Sequence, residues 1–247
     1  SRDVSYMRLT ISTRLSLAWI FLFFLSRNAY SQDLSIRNNS FYYPHTLSLN
    51  EINHTVGLAS AKLPEDVVET DDVFRAPLFS YRIKYGLPIN ITAEGSFETN
   101  LITYHFALGG KWIYEFGKLS ISAGTDAAFW FGALDQFGFD TRIDGWHLYP
   151  NLSLGYTFRN FSVSVKSELL FILSQSTRNG DIKTENTYDK FSGYSIGVYI
   201  EQPLWKENFI VIGFKSNFTK FYYPLWAGFS TFDRYFFIPE FVFSFNL

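Results

Sequence analysis

The sequence predicts an all-β fold: a closed, antiparallel, up-and-down transmembrane β-barrel of about ten strands (range about eight to twelve), following a cleaved signal peptide. Three observations predict it. Aromatic residues make up 20% of the chain, with 28 Phe and 16 Tyr, a ring surface that membrane barrels use in their lipid band and interfacial girdles. Apolar and polar residues alternate with period two along segment after segment, and charges collect on one of the two faces. Tight and long connections alternate between those segments, as they do at the two ends of a membrane barrel.

Composition sets the frame. A chain of 247 residues with 47% hydrophobic content forms one domain by default. Its 21 basic and 23 acidic residues give −2; without residues 1–31, which hold four Arg and one Asp, 17 basic and 22 acidic residues remain, giving −5. No basic stripe of the kind that displaces counterions is present, which excludes nucleic acid as a partner. The absence of cysteine removes disulfides, cysteine-ligated metals and a lipid-anchored N-terminal cysteine. No cofactor or metal is expected.

The first element is an address. Met7 is the expected start, with residues 1–6 upstream of it. Arg8 and Arg14 supply a positive flank, and Leu15–Leu25 is an apolar stretch shorter than the roughly 20 residues of a spanning helix. Ala29-Tyr30-Ser31 presents small residues where a signal peptidase reads, placing the mature N-terminus at Gln32; a lone membrane anchor is the alternative. Residues 32–53 are polar and irregular, and a periplasmic lead-in and a plug both remain open. The barrel is expected over residues 54–247.

The strands follow in order. A weak first strand lies near Thr55–Lys62. From Pro77 to Leu87, Phe79, Tyr81, Ile83 and Tyr85 oppose Ser80, Arg82 and Lys84; from Ile89 to Glu98, Ile89, Ile91, Ala93 and Phe97 oppose Asn90, Thr92, Glu94 and Glu98. Between Ile102 and Tyr114, Tyr104, Phe106, Leu108 and Trp112 oppose His105 and Lys111. Leu119, Ile121 and Phe129 then oppose Ser120, Asp126 and Trp130, and Leu148, Leu152 and Leu154 oppose His147, Asn151 and Ser153. Val163, Val165 and Leu169 oppose Lys166 and Glu168; Tyr194, Ile196 and Val198 oppose Tyr199 and Glu201; Ile210, Ile212 and Phe214 oppose Lys215. In the last segment Tyr235, Phe237, Phe241, Phe243, Phe245 and Leu247 oppose Glu240. Lys220 is the one charge found on an apolar face. A cation facing lipid at mid-bilayer costs about 2–4 kcal/mol, which would enforce this segregation. A soluble sandwich would segregate similarly.

Connection lengths decide between these. Gly86–Asn90, Glu115–Lys118, Arg159–Phe161 and Trp205–Asn208 are tight, whereas Lys62–Ala76, Ala133–Gly145, Gln175–Phe191 and Tyr222–Phe232 are long, with Glu98–Leu101 the exception. The terminal YFFIPEFVFSFNL, aromatic at alternate positions, resembles the C-terminal strand by which outer-membrane proteins are recognised for assembly, although it ends in Leu247 rather than the commoner Phe. The Phe- and Tyr-rich composition is similar to that of small barrels of Bacteroidota. The resemblance implies the outer membrane of a Gram-negative cell, with outer-membrane lipid and the barrel-assembly machinery as partners.

For chemistry, no P-loop, GxSxG, HExxH or EF-hand pattern occurs. The polar face supplies the expected lumen lining: Arg82, Lys84, Glu94, Lys111, Lys166, Glu168, Glu201, Lys215 and Glu240, with Arg82 near Glu94, Lys166 beside Glu168 and Lys215 near Glu240. These charges either neutralise one another in a filled lumen or line a narrow ion or solute path. The expected role is therefore structural or transport-like. Long loops on a rigid scaffold offer an extracellular ligand or envelope partner a surface instead. A third reading is hydrolytic: Glu98, His105, Asp126 and His147 all point inward near the outer rim, where carboxylates and imidazoles could activate water, an arrangement similar in architecture to omptin-type proteases but without their motif.

Overall fold

The computed structural model describes residues 40–62, 64, 75–136, 139–180, 182–185, 189–205, 208–226 and 234–247. The expected signal segment lies outside these residues. Among the described residues eleven strands form: β1 Ile52–Lys62, β2 Arg75–Leu87, β3 Ile91–Thr99, β4 Thr103–Phe116, β5 Leu119–Gln136, β6 Phe139–Thr157, β7 Ser162–Asn179, β8 Ile182–Glu185, β9 Phe191–Trp205, β10 Asn208–Thr219 and β11 Phe236–Asn246. Ten of them close a ring. Neighbours pair in sequence order from β1 to β7, then β7–β9, β9–β10 and β10–β11, and β11 returns to β1 from Thr55↔Asn246 to Ala61↔Glu240. Every pairing is antiparallel, and β8 only extends β7.

The ring is inverted relative to a soluble core. Outward positions hold Leu108 at 70% exposure, Phe79, Leu152, Phe214 and Phe241, whereas Lys84 is 3% exposed and Glu201 0% inside. Water would penalise such an exterior and such an interior alike; lipid outside and paired charges inside remove both penalties. A sandwich would have turned these apolar faces together. Closure also leaves no unpaired ladder edge in the ring.

Several connections differ from the sequence expectation. Ala133–Gly145, expected as a loop, is mostly hairpin: β5 and β6 stay paired out to Gln136↔Phe139. The alternation persists there, with Ile143 buried inward and Leu134 against the same cluster. Within Gln175–Phe191, β7 continues to Asn179 and turns at Gly180, whose φ of +55° suits glycine, so that β8 pairs back through Arg178↔Lys183. Asn-Gly is a hairpin signal, and here it outweighs the length of the connection. Ile89 and Asn90, both with positive φ (64° and 57°), belong to the β2–β3 turn rather than to β3: with Pro88 they form a three-residue connection between the paired Leu87 and Ile91. β1 begins at Ile52, before the expected strand start.

Candidate functional site: a charged lumen between two closures

Inward side chains occupy the lumen in three tiers, and segments outside the ring supply the two ends. At the end bearing the β2–β3 and β4–β5 turns, Ser40–Leu47 lies buried, except for half-buried Thr46. These residues join no strand ladder. Instead Glu201 on β9 accepts the Phe41 N–H at 2.6 Å on one carboxylate oxygen and the Tyr43 N–H at 2.5 Å on the other. Lys84 on β2 donates to the Phe41 carbonyl and sits 4.8 Å from the Phe41 ring centroid. Glu115 accepts the Thr46 N–H at 2.7 Å. The Tyr42 ring stacks on Tyr199 with centroids 4.1 Å apart and has the Arg82 guanidinium 5.4 Å from its centroid. Tyr43, fully buried, fills the space left by Gly155, where an added Cβ would lie 2.5 Å from its ring.

His45 shares this tier. Its Nδ1–H donates to the Tyr43 carbonyl at 3.1 Å, and its buried Nε2 has no partner among the described residues. Burial first, and then the nearby Lys84 ammonium, push the imidazole down to about 4. His45 is therefore neutral where it sits.

The middle tier is ionic. Arg82 meets Glu98 at 2.6 Å; Lys84 at 3.2 Å and Lys111 both reach Glu94; Lys166 at 2.5 Å and Lys215 at 2.9 Å share Glu168. Lys215 stands opposite Glu240 in the ladder yet hydrogen-bonds Glu168, while Glu240 accepts from Asn217 and, at 3.1 Å, from the Tyr222 hydroxyl. Opposite charges at matched depth are thus linked across strands, as a low-dielectric lumen demands. A chamber of about 90 Å³ lies between Phe41 and Tyr223 and is lined by Arg82, Glu94, His105, Asp126, Lys166 and Lys215 among others. That holds several waters. Buried Arg82 Nε, His105 Nδ1 and Asp126 Oδ1 have no protein partner among the described residues.

The upper closure comes from the β10–β11 connection. Its 3₁₀ turn, Tyr223–Leu225, dips into the barrel and carries Phe221, Tyr222 and Trp226 into a cluster with Trp130, Ile143, Ile172 and Ile238. Trp226 occupies the space above Gly132, where a Cβ would meet its indole nitrogen at 2.1 Å. The Tyr223 hydroxyl donates to Glu98 and its ring stacks on His105 at 4.3 Å. Burial and the adjoining carboxylates, Glu240 for Tyr222 and Glu98 for Tyr223, hold both phenols well above the usual tyrosine range, so both remain donors.

The four residues proposed for hydrolysis are partly brought together. Trp130 Nε1–H donates to His147 Nε2 at 2.9 Å, which assigns the proton of His147 to Nδ1, 3.0 Å from the Tyr149 oxygen. Tyr149 O–H then points to His105 Nε2 at 3.3 Å, and Glu98 joins through Tyr223. Asp126 takes Asn151 instead, at 2.9 Å. Both nitrogens of His147 are engaged, and Glu98 is shared by Arg82 and Tyr223. Tyr149 and Tyr223 link this network and were not singled out from the sequence. Tyr149 was readable by parity, lying between inward His147 and Asn151; Tyr223 sits in an aperiodic loop with no such signal.

In the final strand Phe237, Phe241 and Phe243 face outward, and β11 pairs with both β10 and β1. Lys220 reaches Asp189 at 2.6 Å and lies 5.2 Å from the Tyr235 ring centroid, which accounts for a cation beside an apolar face.

No family model matches the chain, and no curated protein sequence does. Among solved structures it is similar to Neisserial surface protein A (11% identity, 79% of this chain and 96% of that one, TM-score 0.39). It is also similar to the translocator domain of the autotransporter NalP from Neisseria meningitidis (10% identity, 79% and 87% covered, TM-score 0.43). A third is outer membrane phospholipase A from Escherichia coli (12% identity, 88% and 98% covered, TM-score 0.37).

Proposed function

We propose that the protein is an integral outer-membrane barrel whose charged lumen is a narrow ion or small-solute path, shut at rest at both ends. The observation that carries this reading is the origin of the two closures. Ser40–Leu47 and Phe221–Trp226 lie outside the strands of the ring, each seats an aromatic residue over a glycine, and a polar chamber lies between them. A permanently filled barrel needs only strand-borne side chains. The apolar exterior supports membrane insertion, and the aromatic terminal strand supports the outer membrane. Planar-bilayer conductance of folded protein, with folding checked by a heat-dependent gel shift, tests the path. The native chain is expected to be silent or to open rarely, and a Gly155→Ala/Gly132→Ala double variant to conduct in discrete steps. Silence of that folded variant would leave a structural barrel.

A second reading has its own observation. Arg142, Arg178 and Lys183 stand directly opposite one another across β6, β7 and β8 beyond the ring, all exposed. An exposed basic patch so placed attracts an anionic surface ligand. Retention of the folded protein on heparin, lost in Arg142→Ala/Arg178→Ala, would support it; equal elution would remove it.

A further inference from the structure

We propose that the inner half of the lumen is a peptide-binding site, and that Ser40–Leu47 is its exchangeable ligand rather than a fixed part of the wall. The proposal deepens the closed-path reading, on which its physiological meaning rests, but the binding itself is measurable without any conductance.

The contacts are those of peptide recognition. Glu201 takes the N–H groups of Phe41 and Tyr43, two residues apart, one on each carboxylate oxygen, while Lys84 takes the carbonyl of Phe41. The two charges read main chain, so they hold a segment bent at Phe41–Tyr43 independently of its side chains. Charge-assisted bonds of this type are roughly twice as strong as neutral ones. Specificity comes from the rings: Tyr42 lies against Tyr199 with Arg82 nearby, and Tyr43 enters the space over Gly155. The ligand class is thus a peptide with consecutive aromatic residues at a bend in its main chain.

The attachment is equally telling. The N–H groups of Phe41, Tyr43 and Thr46 all go to carboxylates, not to a ladder. Backbone pairing with the ring begins at Asn50, whose N–H donates to Gly86 at 3.1 Å, and the link before it, Leu49, is 64% exposed. Releasing the segment therefore breaks no strand pairing, and it joins the ring through a tight turn in which Ser48 accepts the Glu51 N–H at 3.0 Å and donates its own N–H to the Glu51 carboxylate at 2.7 Å.

A protease site inserted between Leu49 and Asn50 of the full chain, cut after folding in detergent, tests this. The cut segment is expected to leave on dilution while the heat-dependent gel shift persists. A fluorescent peptide spanning Ser40–Ser48 then rebinds saturably by anisotropy and is displaced by unlabelled peptide. Tyr42→Ala in the peptide weakens binding about tenfold, in line with the loss of one stacked pair and one cation–π contact. Glu201→Gln in the barrel weakens it as well. A segment that stays bound through exhaustive dilution, or a peptide that does not rebind at millimolar concentration, overturns the proposal. Neither result depends on whether the lumen conducts, so failure of the path and failure of the site are told apart.

Discussion

Gly155→Ala isolates the lower closure with a single carbon. The new Cβ would stand 2.5 Å from Tyr43 Cδ2 and 2.7 Å from both Tyr43 Cε2 and Pro44 Cδ, where contacting carbons prefer about 3.5–4.0 Å. Tyr43 has no exposure and thus little room to retreat. Overpacking of this kind costs about 1–3 kcal/mol, which lowers the ratio of seated to released segment about 5- to 150-fold. The strand itself gains, because alanine is better tolerated than glycine in a ladder by roughly 0.5–1 kcal/mol. Opening and barrel stability should therefore rise together, whereas general damage raises opening while lowering stability. The assay is open probability in single-channel recordings in a Gly132→Ala background, which displaces Trp226 and frees the upper closure, alongside the temperature of the gel shift. Gly110→Ala is the matched control, since nothing lies within 4 Å of its added Cβ. Equal open probabilities in the two variants would refute the assignment of Tyr43 and Gly155 as the seat of the closure.

Acid should release the same segment. His45 titrates at about 4 when seated and near 6.5 when free, so the free state binds more protons below 6.5 and seating is fully favoured only above it. The closure is expected to weaken as pH falls from 6.5 towards 4, by about 3 kcal/mol in all, and an unchanged pH profile of conductance in His45→Gln would contradict this. Glu94→Gln leaves Lys84 and Lys111 without their shared anion and should destabilise the barrel by about 3–5 kcal/mol, read as a lower gel-shift temperature; an unchanged value would show the pair to be solvated. Trp226→Ala removes a buried indole from the upper cluster, a truncation worth about 3–5 kcal/mol of cap docking, and should raise conductance only when combined with Gly155→Ala. Full opening by Trp226→Ala alone would place the whole barrier at the upper closure.

Much of the ring was legible because period two is a local property: β2, β4 and β11 each declare their faces within a dozen residues, and the segregation of Arg82, Glu94 and Lys111 says which face avoids lipid. The hairpin extensions were missed where turn chemistry at Asn179-Gly180 was subordinated to connection length. The lower closure was not legible for a different reason. Phe41–Tyr43 is an aromatic run with no period, and its position depends on Glu201, some 160 residues away in sequence. Its one local hint was three consecutive rings in an otherwise polar lead-in. Likewise the partners of the lumen charges follow from tilt and stagger around the ring, so Lys215 finds Glu168 on β7 rather than Glu240 opposite it.

The seam between β1 and β11 has a consequence for how the molecule comes into being. It joins the two extremes of the ring through seven residue pairs, against eleven between β1 and β2, and it carries the largest loop-closure entropy of any pairing. It is thus the natural last event of folding. Ser40–Leu47 precedes β1 directly, so before the seam forms it can swing in through the open side of the curling sheet; afterwards it must thread in by the end. A chain that zips early would begin with its tail outside, matching the native form in every hydrogen bond of the sheet yet empty within until the tail enters by the end.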